Sequence, residues 1–141
     1  MTAEDDLLFQ EMLTKSKTIA VVGLSDKPER SSFGVAEYLD GYYEIIPINP
    51  NLEQWQGKKV YHSLAEVPED IKIDLVDVFR RSEFVAEVVD QAIARKIPYL
   101  WLQLGVINDE EAERAEGSGI RVVMDACIAV VHNMLKHQGK V

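Results

Sequence analysis

One cysteine, Cys127, stands in 141 residues, so no intramolecular disulfide can form. Such a chain suits a reducing compartment. Basic residues are few. Lys and Arg number 15 against 24 Asp and Glu, for a formal net charge of −9. That charge repels nucleic acid and anionic membranes at long range, so neither is expected as a partner. No apolar run nears the ~20 residues of a membrane helix. The start, Met1-Thr2-Ala3-Glu4-Asp5-Asp6, is acidic and lacks the basic-then-apolar order of a signal peptide. These absences predict a cytoplasmic protein.

Several chemistries are missing too. His62, His132 and His137 are too scattered to form a zinc set with Cys127 or a carboxylate. His132 and His137 are read as solvated near the C-terminus, and His62 as a surface residue. Asp74 and Asp77 fall on opposite faces of one strand and make no carboxylate pair. Ser25 has no histidine to activate it. No catalytic set is predicted, so the chain is not expected to be an enzyme on its own.

What is present is a regular alternation. Thr2 reads as a helix cap, followed by acidic residues and an apolar stripe at Leu8, Phe9, Met12 and Leu13, predicting a helix over 3–15. Thr18 to Gly23 is an apolar run of the kind covered on both faces in a parallel sheet. A short helix is predicted over Phe33 to Leu39. Tyr43 to Ile48 is a second strand, whose Pro47 argues for an edge or strand-end location. Lys59-Val60-Tyr61 reads as a very short third strand, and Ser63 to Val67 as a helical turn.

Asp74 to Phe79 is a strand, after which Ser82 is read as the cap of a helix with Val85, Val88, Val89, Ala92 and Ile93 on one side. Tyr99 to Leu102 is a strand. Asn108-Asp109-Glu110-Glu111 is a capping box for a short helix. Ile120 to Met124 is the last strand, and Asp125 is read as the cap of a final helix reaching about Leu135. The alternation predicts an α/β fold, a Rossmann-like open parallel sheet of about five strands with helices on both faces. The chain reads as one domain over 1–141, with a leading helix in 1–17, a core in 18–136 and a tail in 137–141.

In such a sheet ligands bind beyond the carboxyl ends of the strands. The loop Gly23-Leu24-Ser25-Asp26-Lys27-Pro28-Glu29-Arg30-Ser31-Ser32 is the richest there. Gly23 lets a ligand approach the backbone. Ser25, Ser31 and Ser32 supply hydroxyls, the last two where free helix amides favour an anion. Lys27 and Arg30 add charge, and Arg80 and Arg81 add more from another strand end. Four of the 15 basic residues thus fall in two ligand-facing loops of an acidic chain, which points to bound phosphate. Ser25 and Pro28 occupy the glycine positions of a G-x-G-x-x-G fingerprint, and Asn49-Pro50 stands where an NAD site needs an acid, so nicotinamide is disfavoured. Gln103 is a further polar contact, or else bonds a helix. Cys127, at a helix start that favours a thiolate, is read as a buried small side chain or as a thiol able to exchange with a ligand thiol. Trp101 and Phe79 are read as core.

These blocks, together with Asp74-Leu75-Val76-Asp77-Val78-Phe79-Arg80, Trp101 to Val106 and Val123 to Cys127, resemble the small stand-alone coenzyme A (CoA) binding proteins of the succinyl-CoA synthetase α-subunit type. The resemblance runs from about Thr18 to Cys127. It implies that Gly23, Ser25, Lys27, Arg30 and Ser31 surround the CoA phosphates. It also implies that Asn49 and Pro50 line the adenosine side, with Val78, Phe79 and Arg80 on another wall. It implies a binding, carrier or regulatory module for CoA or an acyl-CoA. The alternatives are a CoA-binding subunit of an acyl-CoA synthetase or transferase that needs a partner chain, and an NAD-binding regulator. In the large synthetases a separate domain with a phosphorylated histidine does the chemistry. The pattern departs from the family at Ala126, where arginine is usual; its loss is expected to weaken or redirect binding.

Overall fold

The computed structural model describes residues 3–141. The proposed cap Thr2 lies outside them. Helix α1 (Ala3–Lys15) leads into strand β1 (Thr18–Val22), whose burial is nearly complete, as the unbroken apolar run requires. Next come α2 (Ser31–Asp40), β2 (Glu44–Ile48), and two very short strands, β3 (Gln54–Trp55) and β4 (Lys58–Lys59). The remainder alternates: β5 (Leu75–Val78), α3 (Val85–Ala94), β6 (Tyr99–Leu102), α4 (Asp109–Gly117), β7 (Arg121–Val123) and α5 (Ile128–His137).

Five strands form one parallel sheet in the order β2-β1-β5-β6-β7. The α/β fold expected from the alternation is the one observed. Because side chains alternate across each strand, the sheet divides the core in two. On one face Ile19, Val21, Leu75 and Trp101 pack with Met12, Leu39, Ile128 and Leu135 from α1, α2 and α5. On the other, Ala20, Val76, Val78 and Leu100 pack with Val85, Val88 and Ala92 of α3 and Ala115 of α4. Strand order reverses between β1 and β5, so the loops leaving these two strands open a crevice.

Several local expectations need correction. The third strand expected at 59–61 is instead the hairpin β3–β4, turned by Gln56 (φ 47°) and Gly57 (φ 79°). Both residues take the positive φ that a tight two-residue hairpin turn demands. Tyr61 adds only a parallel bridge to Ile48 on the outer side of β2. There Tyr61 N donates to Pro47 O and Asn49 N to Tyr61 O, each at 3.0 Å, covering the edge strand that Pro47 marked. Ser82 does not cap α3, which starts from Phe84; its Oγ accepts from Ile107 N at 3.0 Å, tying two loops together. Asp125 does not cap α5 either. Its backbone is left-handed (φ 60°), and its Oδ1 accepts from Gly105 N at 2.7 Å. Asn108 does cap α4, its Oδ1 accepting from Glu111 N at 3.1 Å.

His132 is the clearest correction. It is not solvated but 2% exposed, on the α5 face shared by Ile128, Val131 and Leu135. Its Nδ1 lies 2.8 Å from the Tyr38 hydroxyl, and Tyr42 and Tyr43 pack against its ring. Among the described residues no helix is long and apolar enough to cross a membrane.

Candidate functional site

The site begins where β1 runs out. Gly23 holds φ +85°, and its N–H donates to Ile48 O at 2.9 Å, so the chain turns tightly between β1 and its neighbours. A Cβ at this position would collide with the Phe79 carbonyl oxygen at the end of β5. Leu24 is then buried as an anchor, and Asn49 Nδ2 donates to its carbonyl at 2.9 Å. Asn49 Oδ1 accepts from Asn51 N at 2.7 Å. Asn49 therefore staples the ends of β1 and β2 together.

The loop then rises over its own hydroxyls. Ser32 Oγ accepts from Ser25 N, and Ser25 Oγ accepts from Lys27 N, both at 3.0 Å. Each hydroxyl still has a proton to donate. Helix α2 opens from Arg30 without a side-chain cap. The amides of Ser31 and Ser32 in its first turn have no backbone partner among the described residues, the arrangement that favours an anion at a helix start. Lys27 and Arg30 are exposed, and neither joins an ion pair among the described residues. The other two loop cations are engaged. Arg80 lies 3.7 Å from Glu87 and 4.7 Å from the Phe84 ring centre, and Arg81 lies 3.8 Å from Glu83.

A cavity of about 700 Å³ lies along these groups, lined by Gly23, Ser25, Lys27, Arg30, Ser31, Ser32, Val35, Asn49, Asn51, Phe79, Gln103, Leu104, Val106 and Cys127. Eight of the eleven residues singled out from the sequence fall here. Pro50 and Arg80 line a smaller adjoining cavity of about 220 Å³, which shares Gly23 and also takes in His62. There His62 Nε2 lies 3.0 Å from Glu53 Oε1. Val78 lines neither cavity; it is fully buried in the core on the α3 side. Val35 escaped the sequence reading, although a turn of helix from Ser31 and Ser32 brings it to the same face.

Two residues of the fourth and fifth loops have defined roles. Gln103 is 4% exposed, and its Oε1 accepts from Ile128 N at 2.9 Å, which caps the start of α5 from the sheet. Cys127 is the residue before α5, makes no cap bond, and is partly exposed rather than buried. Trp101 is core, as expected, with Nε1 donating to Ala126 O at 2.9 Å. Phe79 packs against the core while lining the cavity.

A second cavity, about 710 Å³, opens at the opposite end of the sheet near Ile73 and Pro98. Its Arg95 spends its guanidinium on the carbonyls of Leu64, Val67, Pro68 and Ile71. That cation fastens a loop and has little left for a ligand. No group of three or more metal-ligating side chains occurs among the described residues.

The sheet order and the crevice at its reversal define a Rossmann-like α/β fold with a cleft at the strand carboxyl ends. The chain belongs to the CoA binding domain family, whose model matches residues 17–133. It is 43% identical over 129 residues to the uncharacterized protein YneT of Bacillus subtilis, covering 91% of this chain and 94% of that one. A hypothetical protein from Pyrococcus horikoshii superposes with a TM-score of 0.88 at 36% identity, over 93% of this chain and 92% of that chain. The alpha subunit of acetate–CoA ligase (ADP-forming) II from Pyrococcus furiosus is 23% identical over 126 residues, which span 81% of this chain but 27% of that subunit.

Proposed function

We propose that this protein binds coenzyme A or an acyl-CoA in the 700 Å³ cavity and acts as a binding, carrier or regulatory module without turnover of its own. One observation carries the reading. Lys27 and Arg30 stand beside the uncapped start of α2, unpaired among the described residues, in a chain of net charge −9. Arg80, Arg81, Arg114 and Arg121 have carboxylate partners, whereas Lys27 and Arg30, which line the cavity, have none among the described residues. A pyrophosphate would satisfy both side chains and the amides of Ser31 and Ser32 together.

Family membership supports CoA as the owner of that pyrophosphate. The apolar stretch of cavity wall at Val35, Leu104 and Val106 suits the less polar arm of the same molecule. Service as one part of a larger acyl-CoA synthetase draws on a separate observation, that the Pyrococcus furiosus ligase subunit extends well beyond the matched region. Calorimetry with CoA and with NAD tests the reading. Saturable CoA binding, tighter than NAD, is expected. Binding of NAD in preference to CoA, or of neither, would overturn it.

A further inference from the structure

We propose that Cys127 is an acyl acceptor, taking the acyl group from a CoA thioester held in the same cavity by thiol–thioester exchange; this rests on the CoA reading above. The thiol lines the cavity and no cap bond engages it. Its neighbour in that wall, Gln103, points independently to a ligand. Ile128 N–H can only donate, so the carboxamide atom it meets at 2.9 Å is the oxygen. That contact turns Nε2 away from the helix. Gln103 lines the cavity at 4% exposure, and its Nε2 has no partner among the described residues. That N–H₂ group opens on the cavity, where an entering carbonyl oxygen would accept from it.

The same bond places Gln103 beside the residue that follows Cys127. A thioester carbonyl accepting from Nε2 would therefore lie near Sγ, with the Ala129 and Val130 amides of the first turn of α5 also free to stabilise its oxygen. In the exchange, the Cys127 thiolate forms a C–S bond to the carbonyl carbon as the π pair moves to oxygen. The pair returns, and the C–S bond to CoA breaks. The proton given up by Cys127 ends on the departing CoA sulfur. One thioester replaces another, so no oxidant or energy source is required. Leu104 and Val106 border this part of the cavity, which suits a short apolar acyl chain.

The test incubates the full chain with acetyl-CoA, follows the intact mass, and maps the adduct without reductant. An acetyl group on Cys127 is expected, absent in Cys127→Ser and formed faster from acetyl-CoA than from S-acetyl-N-acetylcysteamine, a thioester without the nucleotide. Gln103→Glu keeps the acceptor for Ile128 N but removes the donor, and is expected to slow the adduct by about 10²-fold while the chain stays folded. CoA calorimetry on the wild type is run in parallel. CoA binding with no acetyl on Cys127, or with acetylation equally fast from both thioesters or in urea-unfolded chain, overturns the proposal and leaves the binding reading intact. A mixed disulfide with added CoA disulfide, without acetylation from acetyl-CoA, overturns it as well. Absence of CoA binding removes both readings.

Discussion

Gly23 and Phe79 meet where strand order reverses: the α-carbon of the first faces the carbonyl oxygen of the second so closely that no side chain fits between them. Gly23 also sits at φ +85°, which an L-residue adopts at a cost of about 1–2 kcal/mol. Gly23→Ala would suffer both penalties, and the obstructing atom is backbone that cannot swing aside. We expect the variant to lose at least about 1–2 kcal/mol of stability, read by urea unfolding. Loss of CoA binding by the fraction that stays folded is the accompanying expectation. A variant as stable as the wild type would show that the two strands part easily there.

Among the described residues Arg30 has no acidic partner to lose, so its removal isolates the ligand's share of its charge. Arg30→Ala should weaken CoA binding about tenfold at low salt, within the range for hydrogen bonds to charged groups. The deficit should shrink as salt screens the wild type. Calorimetry at two ionic strengths checks this, and equal affinities would remove Arg30 from the site.

Asp77 is wholly buried in the middle of β5, and neither carboxyl oxygen has a hydrogen-bond partner among the described residues. Burial pushes its carboxyl well above the ordinary carboxylate range. The unfolded chain gives up that proton above about pH 4 while the folded chain keeps it. The group's contribution is therefore full below about pH 4 and is lost as pH rises toward the folded value. Asp77→Asn cannot ionise. It should gain stability relative to wild type as pH rises, with the two converging near pH 4, in urea titrations at several pH values.

His132 has the opposite sign. Burial first, and the Lys136 charge second, hold its imidazole below the usual value. The unfolded histidine takes a proton below about pH 6.5. Stability from the neutral ring is present above that pH and is lost as pH falls through the folded value. His132→Phe keeps a ring against Tyr42 and Tyr43 but gives up the Tyr38 contact. Its Tm should be lower than wild type at pH 8 and should fall less between pH 7 and pH 5. Identical slopes would show that another group carries the acid sensitivity.

The parts of this fold that can be read from sequence are those set by strong local rules. Unbroken apolar runs between polar helices announce a sheet covered on both sides, and Thr18 to Val22 and Tyr99 to Leu102 sit in it as expected. Pro47, with no N–H to give, narrows its strand to an edge or itself to a strand end, and β2 is the edge. The loop after β1 was legible through its concentration of cations and hydroxyls. What failed was judged by position along the chain rather than by periodicity. Nearness to the terminus suggests solvent for His132, yet it is four residues from Ile128 and three from Leu135, a helical stripe. Asp125 and Ser82 carry cap-type side chains, but tertiary contacts to Gly105 and Ile107 claimed them first. The β3–β4 hairpin is too short for any alternation to register, and Gln56-Gly57 was its only signal. Gln103 could be recognised as polar and near the ligand end, but which of its two amide atoms faced the helix required the position of Ile128 N.

The covering of β2 by Tyr61 reaches beyond local geometry. A parallel sheet left open at both sides invites further strands, and chains so joined grow into fibres. On this side Pro47 offers no donor and its carbonyl is already taken by Tyr61, while on the far side β7 is three residues long. An incoming strand would meet a border partly covered on one side and a short one on the other, which lowers the sheet's tendency to be extended by a second chain.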